Sequence, residues 1–170
     1  MQSDNLKRHL HLHFIVLIWG FTAVLGALIS LEAISLVWFR MSIAAIAVLI
    51  FMVATGRWKR PSVKSLWKMC GLGLALALHW LTFFGAIKAS NVSVTLAVIS
   101  TGAFFTSLLE PLLYGRKIIW YEVVFGLIVV LGLYVIFQVE GDYSWGIVLA
   151  LISSFLGALF SVINGKLAVR

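Results

Sequence analysis

Charge is what this sequence has least of. Of its 170 residues only 11% are Asp, Glu, Lys or Arg, and just 6 are acidic; soluble domains carry about 25% charged residues. With 62% hydrophobic residues and a mean hydropathy of +1.09, a soluble monomer is excluded. One cysteine, Cys70, excludes an intrachain disulfide and any cysteine metal cluster. Proline occurs twice, and only Pro111 lies inside an apolar run. There is no Walker A loop, no HExxH and no GxSxG, and no nucleophile stands at a recognisable spacing from a base. No cofactor is expected, and the sequence does not read as an enzyme. The net charge of +7 does not point to nucleic acid either. The basic residues lie in short gaps between apolar runs and build no continuous patch.

What is present is a series of six apolar runs, roughly Phe14–Leu31, Ile34–Ala54, Met69–Ile87, Val92–Tyr114, Ile118–Phe137 and Trp145–Asn164. Each is near the ~20 residues a bilayer core requires, so the fold class is an all-α membrane protein with six transmembrane helices and the lipid bilayer as its main partner. The first run is too long, and too soon followed by a second, for a signal peptide. His9, His11 and His13 alternate before it, but period two on a helix scatters three rings over different faces. They read as an interfacial basic flank rather than a metal tract.

Orientation follows from Lys and Arg placement. With the N-terminus in the cytoplasm, Lys7, Arg8, Arg57, Lys59, Arg60, Lys64, Lys68, Arg116, Lys117, Lys166 and Arg170 lie inside, which is 11 of 13. Only Arg40 and Lys88 lie at the outer ends. Glu140 and Asp142 fall in the loop before the sixth span.

A short repeat crosses this layout. Leu25–Ser30 reads LGALIS and Leu156–Ser161 reads LGALFS, 131 residues later. Five spans separate the starts of the two runs, so the second copy enters the membrane in the opposite direction, as in an inverted-topology transporter. Residues 1–138 would be a first five-helix repeat and 139–170 the start of a second, which is then expected to be cut short. If 170 residues were the whole chain, it would have to form a homo-oligomer to build a site.

The same residues resemble a known family. Trp19-Gly20 in the first span, Arg40 early in the second, the Ala86-Ile87-Lys88-Ala89-Ser90 turn after the third, Gly115 followed by two charges after the fourth, Gly126 and Gly132 in the fifth, and Trp145-Gly146 through Lys166 resemble the drug/metabolite transporter superfamily, EamA type. The resemblance implies ten helices in two inverted five-helix halves, a bacterial inner-membrane location, and export of small organic metabolites or drugs. The chain departs from the family pattern at Gly102, where members often carry proline. It departs again at Arg116, where they often carry glutamate; its own acid is Glu110, one and a half turns earlier.

Polar groups at membrane depth are costly and face a cavity, a partner helix or a substrate. They concentrate between His79 and Pro111. A substrate site is expected from spans one, three and four, with Trp19, His79, Thr82 and Ser100. His79, near mid-membrane, either shuttles protons and binds substrate or is a neutral ring bonded to a neighbouring helix. Glu110 precedes Pro111, which leaves the Ser107 carbonyl without its helix donor. Glu110 is either a proton-coupling carboxylate or a group that snorkels inward or pairs with Lys117; its shallow depth favours the second. Arg40 either attracts anions or pairs with Glu32, and pairing or snorkelling is favoured. Small residues stripe span six (Gly146, Ala150, Ser153, Gly157, Ser161) and allow close helix contact. Asn91-Val92-Ser93 matches a glycosylation acceptor but sits against the membrane, and is read as chance. Two rival classes remain: a channel or structural membrane subunit, and a membrane-embedded enzyme using His79 with Glu110.

Overall fold

A computed structural model describes residues 2–58, 60–139 and 143–168. Lys59, Glu140, Asp142 and Arg170, which entered the charge and loop assignments above, lie outside the described residues. Within them the chain forms seven helices: α1 (Gln2–Leu28), α2 (Ala33–Ala54), α3 (Val63–Ala89), α4 (Val92–Ile99), α5 (Gly102–Tyr114), α6 (Trp120–Val139) and α7 (Ser144–Ala168). By length and composition α1, α2, α3, the α4–α5 pair and α7 can each cross a membrane. The apolar helix α6 lies between α5 and α7 in the chain.

The local chemistry explains where the helices begin and end. Ser62, after Pro61, caps α3 by accepting from the Ser65 N–H at 3.2 Å. This lets α3 start six residues before its apolar run. Asn91 caps α4 by accepting from the Val94 N–H at 2.9 Å, so the side chain of the apparent glycosylation sequence is engaged in ending the α3–α4 turn. Gly115 closes α5 in the left-handed conformation, at φ 71°. The basic flank Leu6–His13 is not a separate segment but the first turns of α1, where His11 Nδ1 lies 2.9 Å from the Lys7 carbonyl.

The fourth apolar run is one span by length but two helices in fact. Backbone bonds tighten to i→i+3 at Ser100 and Thr101. The carbonyls released by the break find hydroxyl donors. Ser100 Oγ donates to Ala97 O at 2.6 Å, and Ser154 Oγ of α7 donates to Ile99 O at 3.0 Å. Thr101 Oγ1 shares its single proton between Val98 O at 2.7 Å and Ser154 Oγ at 2.9 Å. A broken helix inside a bilayer is tolerated only when its backbone is satisfied in this way. Ser154→Ala is therefore expected to destabilise the protein by about 1 kcal/mol, because it strips the donor from Ile99 O. Ser100→Ala, at an exposed position, should change little. Unfolding in mixed micelles measures both; equal effects would mean that Ser154 does not hold the break.

Helix α3 is the centre of the assembly. It packs on α1, α2 and α4, and shares its most extensive interface with α7. The contact register gives the directions. On α3 and α1, Phe84 meets Gly26 and Lys88 Nζ donates to the Ile29 carbonyl, so these helices are parallel. On α3 and α7, Ser90 meets Gly146 while His79 meets Gly157, so these are antiparallel. Helices α1 and α7, which carry LGALIS and LGALFS, thus run in opposite directions. The second residue of each copy does the same job. A Cβ on Gly26 would lie 2.3 Å from the Phe84 ring, and one on Gly157 would lie 3.0 Å from the His79 ring. Both glycines let a helix close onto an aromatic ring of α3. Burial is uneven: α7 is the most buried of these spans, whereas α1 and α2 turn their apolar faces outward.

Candidate functional site

The densest set of buried polar groups lies where α3, the α4–α5 break and α7 meet. Thr95, Thr101, Ser153 and Ser154 are all buried. His79 Nδ1 lies 2.8 Å from the Ser153 carbonyl, 74 residues away in sequence. A carbonyl only accepts, so Nδ1 carries the proton. Ser153 Oγ donates to the His79 carbonyl at 3.0 Å and also lies 3.0 Å from Nδ1. Two residues on facing helices are thus cross-bonded through both side chain and backbone. Nε2 has no hydrogen-bond partner among the described residues. The ring is held edge-on by Trp80, at 5.0 Å between centroids, and stacked by Phe83 at 6.1 Å.

His79 forms one wall of a cavity of about 230 Å³, completed by Ile99, Gly102, Thr106, Ser154, Gly157, Ala158 and Ser161. It combines apolar walls with hydroxyls on two helices and an imidazole nitrogen free to accept. That is the composition of a small organic ligand site.

A second cavity of about 440 Å³ lies between α5 and α6. Thr106 lines both, so the two lie on either side of one residue of α5. Glu110, one turn on from Thr106, lines the second cavity together with Ser107, Arg116, Tyr121 and Glu122. Glu110 is ion-paired, but not to Lys117: its Oε2 lies 2.7 Å from Arg116 Nη2, which also donates to Glu122 Oε2 at 3.0 Å. The left-handed Gly115 turns the chain so that Arg116 points back between α5 and α6. Hydrogen bonding to Glu122 first, and then to Glu110, raises the guanidinium above its ordinary pKa, so Arg116 is a fixed cation between two carboxylates. The Ser107 hydroxyl donates to Phe104 O at 2.8 Å.

The other residues singled out in the sequence divide. Thr82 Oγ1 donates within its own helix, 2.8 Å from Leu78 O and 3.1 Å from His79 O. Ser100 is exposed and turned away; its neighbour Thr101, 1% exposed, is the one in the seam. Trp19 is 69% exposed on α1, apart from this set. Arg40 does not pair with Glu32. Its guanidinium lies over the Trp80 ring at 3.9 Å. Sequence reasoning missed Ser154 and Glu122. The signals were there: two adjacent serines in an apolar run, and an acid in the first turn of a helix, where the dipole favours it.

A family model described as "EamA-like transporter family" matches residues 9–138. The chain belongs to that family. Family membership and the set of long apolar helices make this EamA-like protein a multi-pass membrane transporter of small molecules. The match ends before α7, although α7 supplies Ser153, Ser154 and Gly157 to the seam. No curated protein and no solved structure matches the chain.

Proposed function

We propose that this EamA-like transporter exports small organic metabolites or drugs by alternating access, with its substrate held in the His79 cavity. The observation that carries the reading is the cavity itself: a free imidazole nitrogen and hydroxyls of Thr106, Ser154 and Ser161 beside a broken helix. Broken helices at membrane depth are where carriers expose backbone and side-chain groups to substrate. Thr106 supports a path from this cavity to the one that holds Glu110, Arg116 and Glu122. On this path Glu110 is the coupling carboxylate. Protonation frees it from Arg116, which stays held by Glu122. The N-terminus is cytoplasmic in a bacterial inner membrane, and the chain contributes a five-helix repeat and the first helix of an inverted second one. The opposed directions of the two LGAL segments support that arrangement.

Reconstituted flux tests the site. His79→Asn keeps a donor toward the Ser153 carbonyl but removes the acceptor at Nε2. It is expected to raise KM about tenfold, the ~1–2 kcal/mol of one lost hydrogen bond, with stability kept. His79→Leu should lose both binding and stability. Saturable flux with counterflow is expected; flux that never saturates would assign a channel. Unchanged KM in well-folded His79→Asn would remove the site.

A further inference from the structure

Two of the four polar side chains that line the His79 cavity, as the structure pairs them, can only accept. His79 Nδ1 donates its proton to the Ser153 carbonyl, so Nε2 is an acceptor. Ser154 Oγ has one proton and donates it to the Ile99 carbonyl at 3.0 Å. Of its two lone pairs, one receives the Thr101 hydroxyl at 2.9 Å and the other is unused. Gly102, which also lines the cavity, leaves this oxygen uncovered: a Cβ at 102 would lie 3.4 Å from it. The other two, the Thr106 and Ser161 hydroxyls, have no partner among the described residues and can turn either way.

No charged side chain lines this cavity. Arg40 stacks on Trp80 at 3.9 Å and lines a cleft between α1 and α2. Glu110 lines the cavity on the other side of Thr106, where Arg116 holds it. The α4–α5 break opens no helix N-terminus toward an anion, because Ser100 and Thr101 keep right-handed helical backbone through it. An unbalanced ion is costly among apolar walls at membrane depth. A carboxylate would also face two lone pairs that it cannot satisfy.

Resting on the substrate site proposed above, we propose that the cavity selects neutral molecules that bring N–H or O–H donors, a primary carboxamide for example, and rejects carboxylates. Nε2 of His79 and the free lone pair of Ser154 take the donors. Ser154 then has two tasks: its proton holds the broken helix, and its lone pair reads the substrate. Gly102 keeps that lone pair accessible. A site matched to a substrate's donors rejects the analogue without them, because its own buried acceptors are left unpaired.

Saturation-transfer NMR on the protein in lipid nanodiscs, with empty nanodiscs subtracted, tests this with benzamide, methyl benzoate and benzoate. The three share one ring, and only benzamide carries N–H donors. Benzamide is expected to bind about tenfold more tightly than either of the others. Gly102→Ala brings its methyl into ordinary contact with Ser154 Oγ; it is expected to weaken benzamide about tenfold with little change in melting temperature. His79→Asn should weaken benzamide similarly. Equal binding of all three that is lost in His79→Asn would overturn donor selection and keep the site, and so would tighter binding of benzoate. A benzamide preference that survives in Gly102→Ala but not in His79→Asn would overturn the role of Ser154. A preference unchanged in both variants would put binding elsewhere and overturn the site together with its selectivity, as would the absence of binding by all three. Should Gly102→Ala fail to fold, the wild-type comparison of benzamide with methyl benzoate decides alone.

Discussion

Gly157→Leu is expected to destabilise this transporter by about 2–4 kcal/mol, summing overpacking and lost interhelical hydrogen bonds, and to abolish flux. The first atom of any side chain at 157 would lie 3.0 Å from both Cε1 and Nδ1 of His79. The ring cannot retreat without leaving the Ser153 carbonyl, and Trp80 and Phe83 flank it. The remaining atoms of leucine would enter the 230 Å³ cavity that the residue lines. Gly26→Leu should be comparably destabilising, since a Cβ there meets the Phe84 ring at 2.3 Å, but it leaves the His79 cavity unfilled. Gly20→Leu is the control, with nothing within 4 Å of its Cβ position. Thermal unfolding in detergent separates the three. A tolerated Gly157→Leu would mean that α3 and α7 are not in this register.

Arg116→Gln is expected to lower flux by more than about tenfold. The substitution leaves Glu110 and Glu122 facing one cavity without the cation that bridges them at 2.7 and 3.0 Å. Like charges left in this way repel, and one of them lies on a membrane helix. The double variant Glu110→Gln with Arg116→Gln separates two roles. If the triad only ties α5 to α6, the double variant recovers both folding and flux. If Glu110 couples transport to protons, folding recovers but flux no longer responds to an imposed pH gradient. Recovery of gradient-driven flux would remove Glu110 from coupling.

The sequence by itself determined the all-helical membrane class and the family, because burial in lipid requires apolar runs of a set length and leaves charge mostly at their ends; of the six spans expected, five segments among the described residues are long and apolar enough to cross. It also determined that the two LGAL segments run in opposite directions, since five spans between their starts reverse the chain. Helix starts were less legible: α3 begins at Val63 rather than Met69 because Ser62 caps it beyond the apolar run. The broken fourth span was not legible, because the donors to its freed carbonyls include Ser154, more than fifty residues away.

Only the tertiary structure decided which polar groups meet. A soluble helix reveals its inner face by contrast between apolar and polar sides, but helices in lipid are apolar all round. Ser100 and Thr101 are adjacent and equally polar, yet successive residues point about 100° apart, and only Thr101 faces α7. Lys117 and Arg116 offered the same charge to Glu110, and the left-handed turn at Gly115 directed Arg116 to it. His79 was legible as a costly group needing a partner; that the partner is Ser153 follows from where the glycine of the second LGAL segment lets α7 close onto α3.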